Sequence, residues 1–262
     1  MFIIGERING MFKSVAEAIQ KKDKKVIRDL ALKQVNAGAN ALDLNVGPAV
    51  AEPLEAMIWL IETVQEVAKV TLSIDTTKPE VMEAGLKICQ NQAIINSISA
   101  VKEKMDTLIP LAKKYNSLII GLTLDEKGIP QTVEGRTELA CTILTRLIDE
   151  EISPENLYLD PLILPVNVAQ DQCPLVLETI KQIKLLSDPP PKTLLGLSNV
   201  SQKTLDRSLV NRTYAVMSLA YGLDGAILDP LDEELMKAVI TAELLLNKFI
   251  YCDSYLEAYR KK

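Results

Sequence analysis

The chain has 262 residues, 48% of them hydrophobic and 24% charged, which is enough to bury a full core in one large domain or two small ones. With 29 Lys and Arg against 35 Asp and Glu, the formal net charge of −6 argues against broad nucleic-acid binding and against a polybasic membrane anchor. There is no histidine, which excludes Ser-His-Asp and Cys-His pairs, an imidazole acid or base, a His-bound zinc and a His ligand to cobalt.

Short apolar runs alternate with longer amphipathic stretches. Residues 2–5 read as the first strand. A helix follows over 23–36, with Val26, Ile27, Leu30 and Val35 on one side and Gly38 as its stop. Strand 41–44 precedes helix 54–68, and strand 71–74 precedes helix 79–90, where Pro79 suits a first helical turn. The pattern continues with strand 93–95 and helix 102–115, then strand 118–122 and helix 135–151, then strand 157–159 and helix 174–186. Residues 188–191, with three prolines, form a rigid loop into strand 193–197. Helix 209–221, strand 226–228 and helix 232–247 complete the series. Most of the strands are continuously apolar and rich in Ile, Leu and Val, as in a parallel sheet covered on both faces.

Eight strand–helix units averaging ~31 residues predict a single-domain α/β fold, a (β/α)8 TIM barrel over residues 1–247. The competing doubly wound sheet lacks a Gly-x-Gly-x-x-Gly after its first strand. Residues 248–262 form a tail in which Tyr251, Tyr255 and Tyr259 share a helical face, expected against the barrel or at a dimer interface. Glu6 and Arg7 interrupt the N-terminus before any signal-like apolar region forms, and no apolar run approaches the ~18 residues of a membrane span. Cys89, Cys141, Cys173 and Cys252 are scattered, so we expect reduced thiols in a cytoplasmic protein without a structural metal cluster.

The active site of such a barrel lies at the C-terminal strand ends. Those ends carry Glu6, Arg7 and Asn9, then Asp43 and Asn45, Asp75, Asn96, Asp160, Ser198 with Asn199, and Asp229. Singly, each suits a helix cap. Converging on one mouth, they suit a divalent cation through oxygen ligands, or a flat nitrogen-rich heterocycle whose amidine edge pairs with carboxylates.

Six motifs in chain order decide between these readings. Gly5-Glu-Arg-Ile-Asn, Asp43-Leu-Asn-Val-Gly-Pro, Ser73-Ile-Asp-Thr-Thr, Ile95-Asn-Ser, Asp160-Pro-Leu-Ile-Leu-Pro and Gly196-Leu-Ser-Asn-Val-Ser together resemble the pterin-binding superfamily over essentially the whole chain. Within it the chain resembles the methyltetrahydrofolate:corrinoid/iron–sulfur protein methyltransferases of the acetyl-CoA pathway of carbon fixation, most of all at residues 160–171, with Pro165, Asn167 and Gln170, and at 196–202. It is less similar to dihydropteroate synthases, whose seventh-strand motif is expected to carry basic residues where Asn199 and Val200 stand.

The resemblance implies transfer of the N5 methyl group of methyltetrahydrofolate to the Co(I) of a corrinoid. With no His to ligate cobalt, that corrinoid must arrive on another protein. It implies that Asp75, Asn96 and Asp160 hold the pterin edge and that Asn199 reaches N5 by hydrogen bonding, as the catalytic residue. Asp43, Gln202 and Arg207 are further pterin-binding candidates, Arg207 toward the glutamate tail or toward a surface carboxylate. Phe12, Leu164 and Asn167 are candidates to face the corrinoid. A homodimer, no tightly bound cofactor and no metal site belong to the same expectation. Three alternatives remain: service to another corrinoid protein, with transfer running toward methyltetrahydrofolate; a Mg2+-dependent lyase using Asp75, Asp160 and Asp229; and a pterin-binding protein without catalysis.

Overall fold

The computed structural model describes residues 1–48 and 50–248. All eight predicted strands form, and they close into a parallel barrel in chain order: β1 (Phe2–Asn9), β2 (Ala41–Asn45), β3 (Thr71–Asp75), β4 (Ile94–Ser99), β5 (Leu118–Leu122), β6 (Leu157–Asp160), β7 (Lys192–Gly196) and β8 (Gly225–Leu228). The outer ring begins with α1 (Lys13–Lys21), α2 (Lys24–Asn36), α3 (Pro53–Gln65), α4 (Pro79–Ile88) and α5 (Lys102–Tyr115). It continues with α6 (Val133–Asp149), α7 (Gln172–Ile183), α8 (Arg207–Ala220) and α9 (Glu233–Leu245). Among the described residues no helix is long and apolar enough to cross a membrane. The predicted tail with Tyr251, Tyr255 and Tyr259 lies outside the described residues.

Three elements differ from the sequence expectation. Helix α1 was not predicted; it buries Val15, Ala18 and Ile19 at i, i+3 and i+4, but its N-cap residue, Phe12, offers no capping side chain. Strand β1 does not end at Gly5. It runs on to Asn9 through a register shift between Gly5 and Ile8, and β4 likewise runs on to Ser99 through a shift between Asn96 and Ile98. Such bulges re-aim side chains beside functional sites. The bulge in β1 is held from outside the barrel, because the Arg7 N–H donates to Oε1 of the fully buried Gln34 on α2 (2.9 Å). The expected stop of α2 forms: the helix ends at Asn36, and Gly38 takes a left-handed φ of 104°.

The strand registers sort the barrel into layers. Ile4, Ala41, Ile94, Ile120, Tyr158 and Leu194 form a separate inner apolar cluster, with Leu122 packed on it. A second, larger core lies between the outward side chains and the helices, including Leu42, Leu44, Ile74, Leu60, Ile61 and Ile143. Each β-strand alternates between these two cores. Two residues toward the C-terminal end from the inner cluster, the inward positions become polar: Glu6 follows Ile4, Asp43 follows Ala41, Asn96 follows Ile94 and Asp160 follows Tyr158. Leu122 and Asp160 are register partners, as are Asp43 and Ser73, and Asp75 and Asn96. An apolar plug thus closes the barrel beneath a ring of acceptors.

Candidate functional site

The strand-end residues are not helix caps. Thr132, Asp206 and Asp232 cap α6, α8 and α9 by accepting N–H bonds from Gly135, Leu209 and Leu235. The inward ring bonds to itself instead. Asp43 lies inside β2 and is buried. Its Oδ1 accepts both from Ser73 Oγ (2.6 Å) and from Asn96 Nδ2 (3.0 Å). Asp75 Oδ2 accepts from Asn45 Nδ2 (2.7 Å), while Asn45 Oδ1 takes the Gly47 N–H (2.7 Å). Both polar atoms of Asn45 are thereby engaged in positioning Asp75.

On the far wall, buried Asp160 accepts the Leu162 N–H at Oδ1 (2.7 Å) and the Gly196 N–H at Oδ2 (3.2 Å). Beyond Gly196 the chain makes a 3-10 turn, Leu197–Asn199. Gln202 Nε2 donates to Asn199 Oδ1 (2.9 Å), which leaves Asn199 Nδ2 as the donor edge. That edge lies over Gly196, where an added Cβ would stand 3.0 Å from Nδ2. The turn is braced from both sides. Ser198 Oγ donates to Glu6 Oε1 (2.7 Å), and Arg207 donates from Nε to Ser201 Oγ and from Nη2 to the Ser198 carbonyl (3.2 Å each).

The free valences define what the mouth can take. Among the described residues, Asn96 Oδ1 and Asp75 Oδ1 have no hydrogen bond, and each Asp160 oxygen keeps a lone pair. Asp75 and Asn96 offer acceptors on the β3–β4 wall, and on the β6–β7 wall Asp160 offers an acceptor beside the Asn199 amide donor. The arrangement matches a planar ligand with several N–H groups.

Burial sets the electrostatics. It raises the Asp43 carboxyl to about 7, with the neighbouring Asp75 charge adding and the Ser73 and Asn96 bonds opposing. Burial raises Asp75 too, against the Asn45 bond. It raises Asp160 to about 6, against the two backbone N–H groups and the positive charge of Arg136. Glu6 is raised by burial, against the Ser198 bond.

Asp75, Asn96, Asp160, Asp43 and Asn199 therefore converge as the strand-end reading expects. Other candidates make contacts that the sequence does not reveal. Arg207 pairs with no carboxylate among the described residues; it braces the Asn199 turn. Gln202, on the exposed rim, orients the Asn199 amide. Asp229 does not join Asp75 and Asp160 but pairs with Arg7 (3.3 Å), whose guanidinium also stacks on Phe12 at 4.5 Å. Among the described residues no three Cys, Asp or Glu side chains are grouped to hold a metal ion. Phe12 and Asn167 are exposed, and Leu164 is half-buried, in the β1–α1 and β6–α7 loops on the mouth side.

Three contributors were missed by the sequence reading. Ser73 lies in a quoted motif but was given no role. Gln34 holds the β1 bulge. Arg136 is fully buried beneath the mouth, its Nε donating to the Pro130 carbonyl and Nη2 to Gln172 Oε1 (2.9 Å each). A glutamine or arginine within an amphipathic helix carries no sequence signal that distinguishes it from a surface residue.

Comparison with known proteins agrees with the fold. The sequence pattern of the family described as "Pterin binding enzyme" matches residues 5–229, and the chain belongs to that family. It is 32% identical over 263 aligned positions to the methylcorrinoid:tetrahydrofolate methyltransferase of Eubacterium limosum, covering 100% of this chain and 97% of that one. Solved structures share the barrel at low identity. The Yersinia pestis dihydropteroate synthase in a sulfonamide complex superposes with a TM-score of 0.73 at 14% identity, covering 95% of this chain and 94% of that one. The Coxiella burnetii dihydropteroate synthase with pteroic acid gives 0.71 at 14% identity, with the same coverage.

Proposed function

We propose that the chain is a methyltransferase that moves a methyl group between N5 of tetrahydrofolate and the cobalt of a corrinoid carried by a separate protein. The observation that carries this reading is a mouth in which free acceptors on Asp75, Asn96 and Asp160 stand together with one amide donor, on Asn199. These acceptors suit the N–H groups of a pterin, with the Asp160 carboxylate accepting from the ring amidine and Asp75 with Asn96 completing the pattern. Asn199 Nδ2 then points toward N5. Cobalt(I) is a strong nucleophile, and the difficulty lies at the amine. A donor that strengthens its bond as negative character builds on N5 lowers the barrier more than it tightens binding.

The corrinoid is a substrate brought by its partner, since the chain has no imidazole to hold cobalt. Phe12, Leu164 and Asn167 face that partner, and the exposed Met11, Val168 and Leu205 extend the same rim. The resemblance of residues 160–171 and 196–202 supports a corrinoid/iron–sulfur protein as the partner and the acetyl-CoA pathway as the setting, in a cytoplasmic homodimer. A second reading rests on the full-length similarity to the Eubacterium limosum enzyme, whose name makes a methylcorrinoid the donor and tetrahydrofolate the acceptor. It supports transfer toward methyltetrahydrofolate with a different corrinoid protein.

The test is an anaerobic absorbance assay in both directions, with methyltetrahydrofolate plus Co(I) cobalamin and with tetrahydrofolate plus methylcobalamin. Catalysed interconversion of the two cobalt bands supports methyl transfer. Repeating it with a purified corrinoid/iron–sulfur protein separates the two partner readings, since a native partner should raise kcat/KM well above that of free cobalamin. Absence of both transfer and pterin binding refutes the assignment.

A further inference from the structure

The proposed reaction needs a proton that Asn199 cannot supply. Methylating N5 converts a secondary amine to a tertiary one and releases a proton; demethylation takes one up. A carboxamide neither stores nor gives a proton near neutrality, and there is no histidine. An ionisable group beside the Asn199 turn can do so.

The carboxyls of the mouth divide by position. Asp43 and Asp75 lie on the β2–β3 wall, engaged with Ser73, Asn96 and Asn45. Asp160 has a backbone N–H on each oxygen. Asp229 is half-exposed and paired with Arg7. Glu6 differs from all of these. It is inward-facing on β1, largely enclosed, and bonded by its Oε1 to Ser198 Oγ, the residue immediately before Asn199. No cation is within ion-pair distance of it among the described residues.

We infer that Glu6 exchanges the N5 proton during methyl transfer, relayed by the Ser198 hydroxyl or one water molecule; this rests on the methyl-transfer reading above. In the direction of methyltetrahydrofolate, the N5 lone pair forms the N–C bond and the Co–C electron pair stays on cobalt as Co(I). The N5 proton passes to the Glu6 carboxylate. In the opposite direction the Co(I) electron pair forms the Co–C bond, the C–N pair stays on N5, and the Glu6 carboxyl returns the proton.

The charged and polar groups facing Glu6 are Ser198 on the β7 turn, Asp229 after β8, Arg7 on β1, Arg207 on α8 and Asp43 across the barrel. Burial raises the Glu6 carboxyl, with Asp229 adding, while Ser198, Arg7 and Arg207 oppose. The net upward direction moves it toward the range where a carboxyl can both take and return a proton.

The experiment compares wild type, Glu6→Gln and Ser198→Ala in the cobalamin assay between about pH 5 and pH 9, with tetrahydrofolate affinity by equilibrium dialysis. Glu6→Gln keeps an oxygen for Ser198 but cannot titrate. It should lower the maximal rate by about 100-fold or more and lose one limb of the pH profile, while the dissociation constant changes by less than about threefold. Ser198→Ala should keep that limb and move it to higher pH, because a bond that lowers the Glu6 value is removed. Wild-type rate and pH profile in Glu6→Gln overturn the inference, and so does a parallel loss of rate and pterin affinity, which would mark Glu6 as shaping the mouth only. If Glu6→Gln does not fold, an unmoved limb in Ser198→Ala overturns it. A wild-type enzyme that transfers no methyl group in either direction overturns the methyl-transfer reading itself.

Discussion

Asp43→Asn should stabilise the ligand-free protein, and by an amount that grows with pH. Asp43 Oδ1 takes both hydrogen bonds, from Ser73 and from Asn96, and asparagine retains that oxygen. What the substitution removes is a buried negative charge facing Asp75. The carboxyl is raised from 3.8 to about 7 in the folded protein, so folding favours its protonated form. A raised carboxyl contributes its stability fully below the unfolded value and loses it as pH rises through the folded value. At about 1.4 kcal/mol per pH unit, that loss reaches about 4 kcal/mol at pH 8 and about 2 kcal/mol at pH 5. These are ceilings, because Asp43 and Asp75 titrate as a pair and the mouth admits water. Urea unfolding of both proteins at the two pH values measures the difference, and a gain of about 2 kcal/mol or more at pH 8 moves the midpoint by close to about 1 M. Equal stabilisation at the two pH values, or destabilisation at pH 8, refutes the reasoning.

Asn199→Ala should slow methyl transfer by about 100-fold with little change in pterin affinity, because its donor acts mainly in the transition state; kcat and the binding constant are measured separately. Gly196→Ala, whose Cβ would press on Asn199 Nδ2, should reproduce part of that loss in kcat while leaving the melting temperature nearly unchanged. Pterin affinity should weaken tenfold per pH unit below about 6, where Asp160 becomes protonated and loses acceptor capacity, and this dependence should be absent in Asp160→Asn. Gln34→Leu strands the Arg7 N–H at the β1 bulge and should cost about 1–3 kcal/mol by denaturant titration.

These expectations draw unequally on sequence and structure. Ile94, Ile120 and Leu194 lie in runs that read as strands because a strand covered on both faces must be apolar at consecutive positions. The polar residue closing each run marks where the inner core stops, so Asp75, Asn96 and Asp160 were legible as mouth residues before any contact was known. Asp43 was legible as well, although it lies within its strand rather than at its end. The continuation of β1 was not, because Glu6 and Arg7 read as the end of an apolar run, whereas a bulge carries the strand onward to Asn9.

Residue order by itself determined the eightfold alternation and the identity of the acceptor ring, since both follow from periodicity and burial along the chain. The tertiary structure decided who bonds to whom: that Asn45 serves Asp75, that Gln202 turns the Asn199 amide, that Arg207 braces a turn instead of meeting a carboxylate, and that Glu6 meets Ser198 from the other end of the chain. Hydrogen-bond direction depends on distances between strands far apart in sequence. Only closure of the barrel, which brings β1 beside β8 with β7 as the next strand, sets those distances.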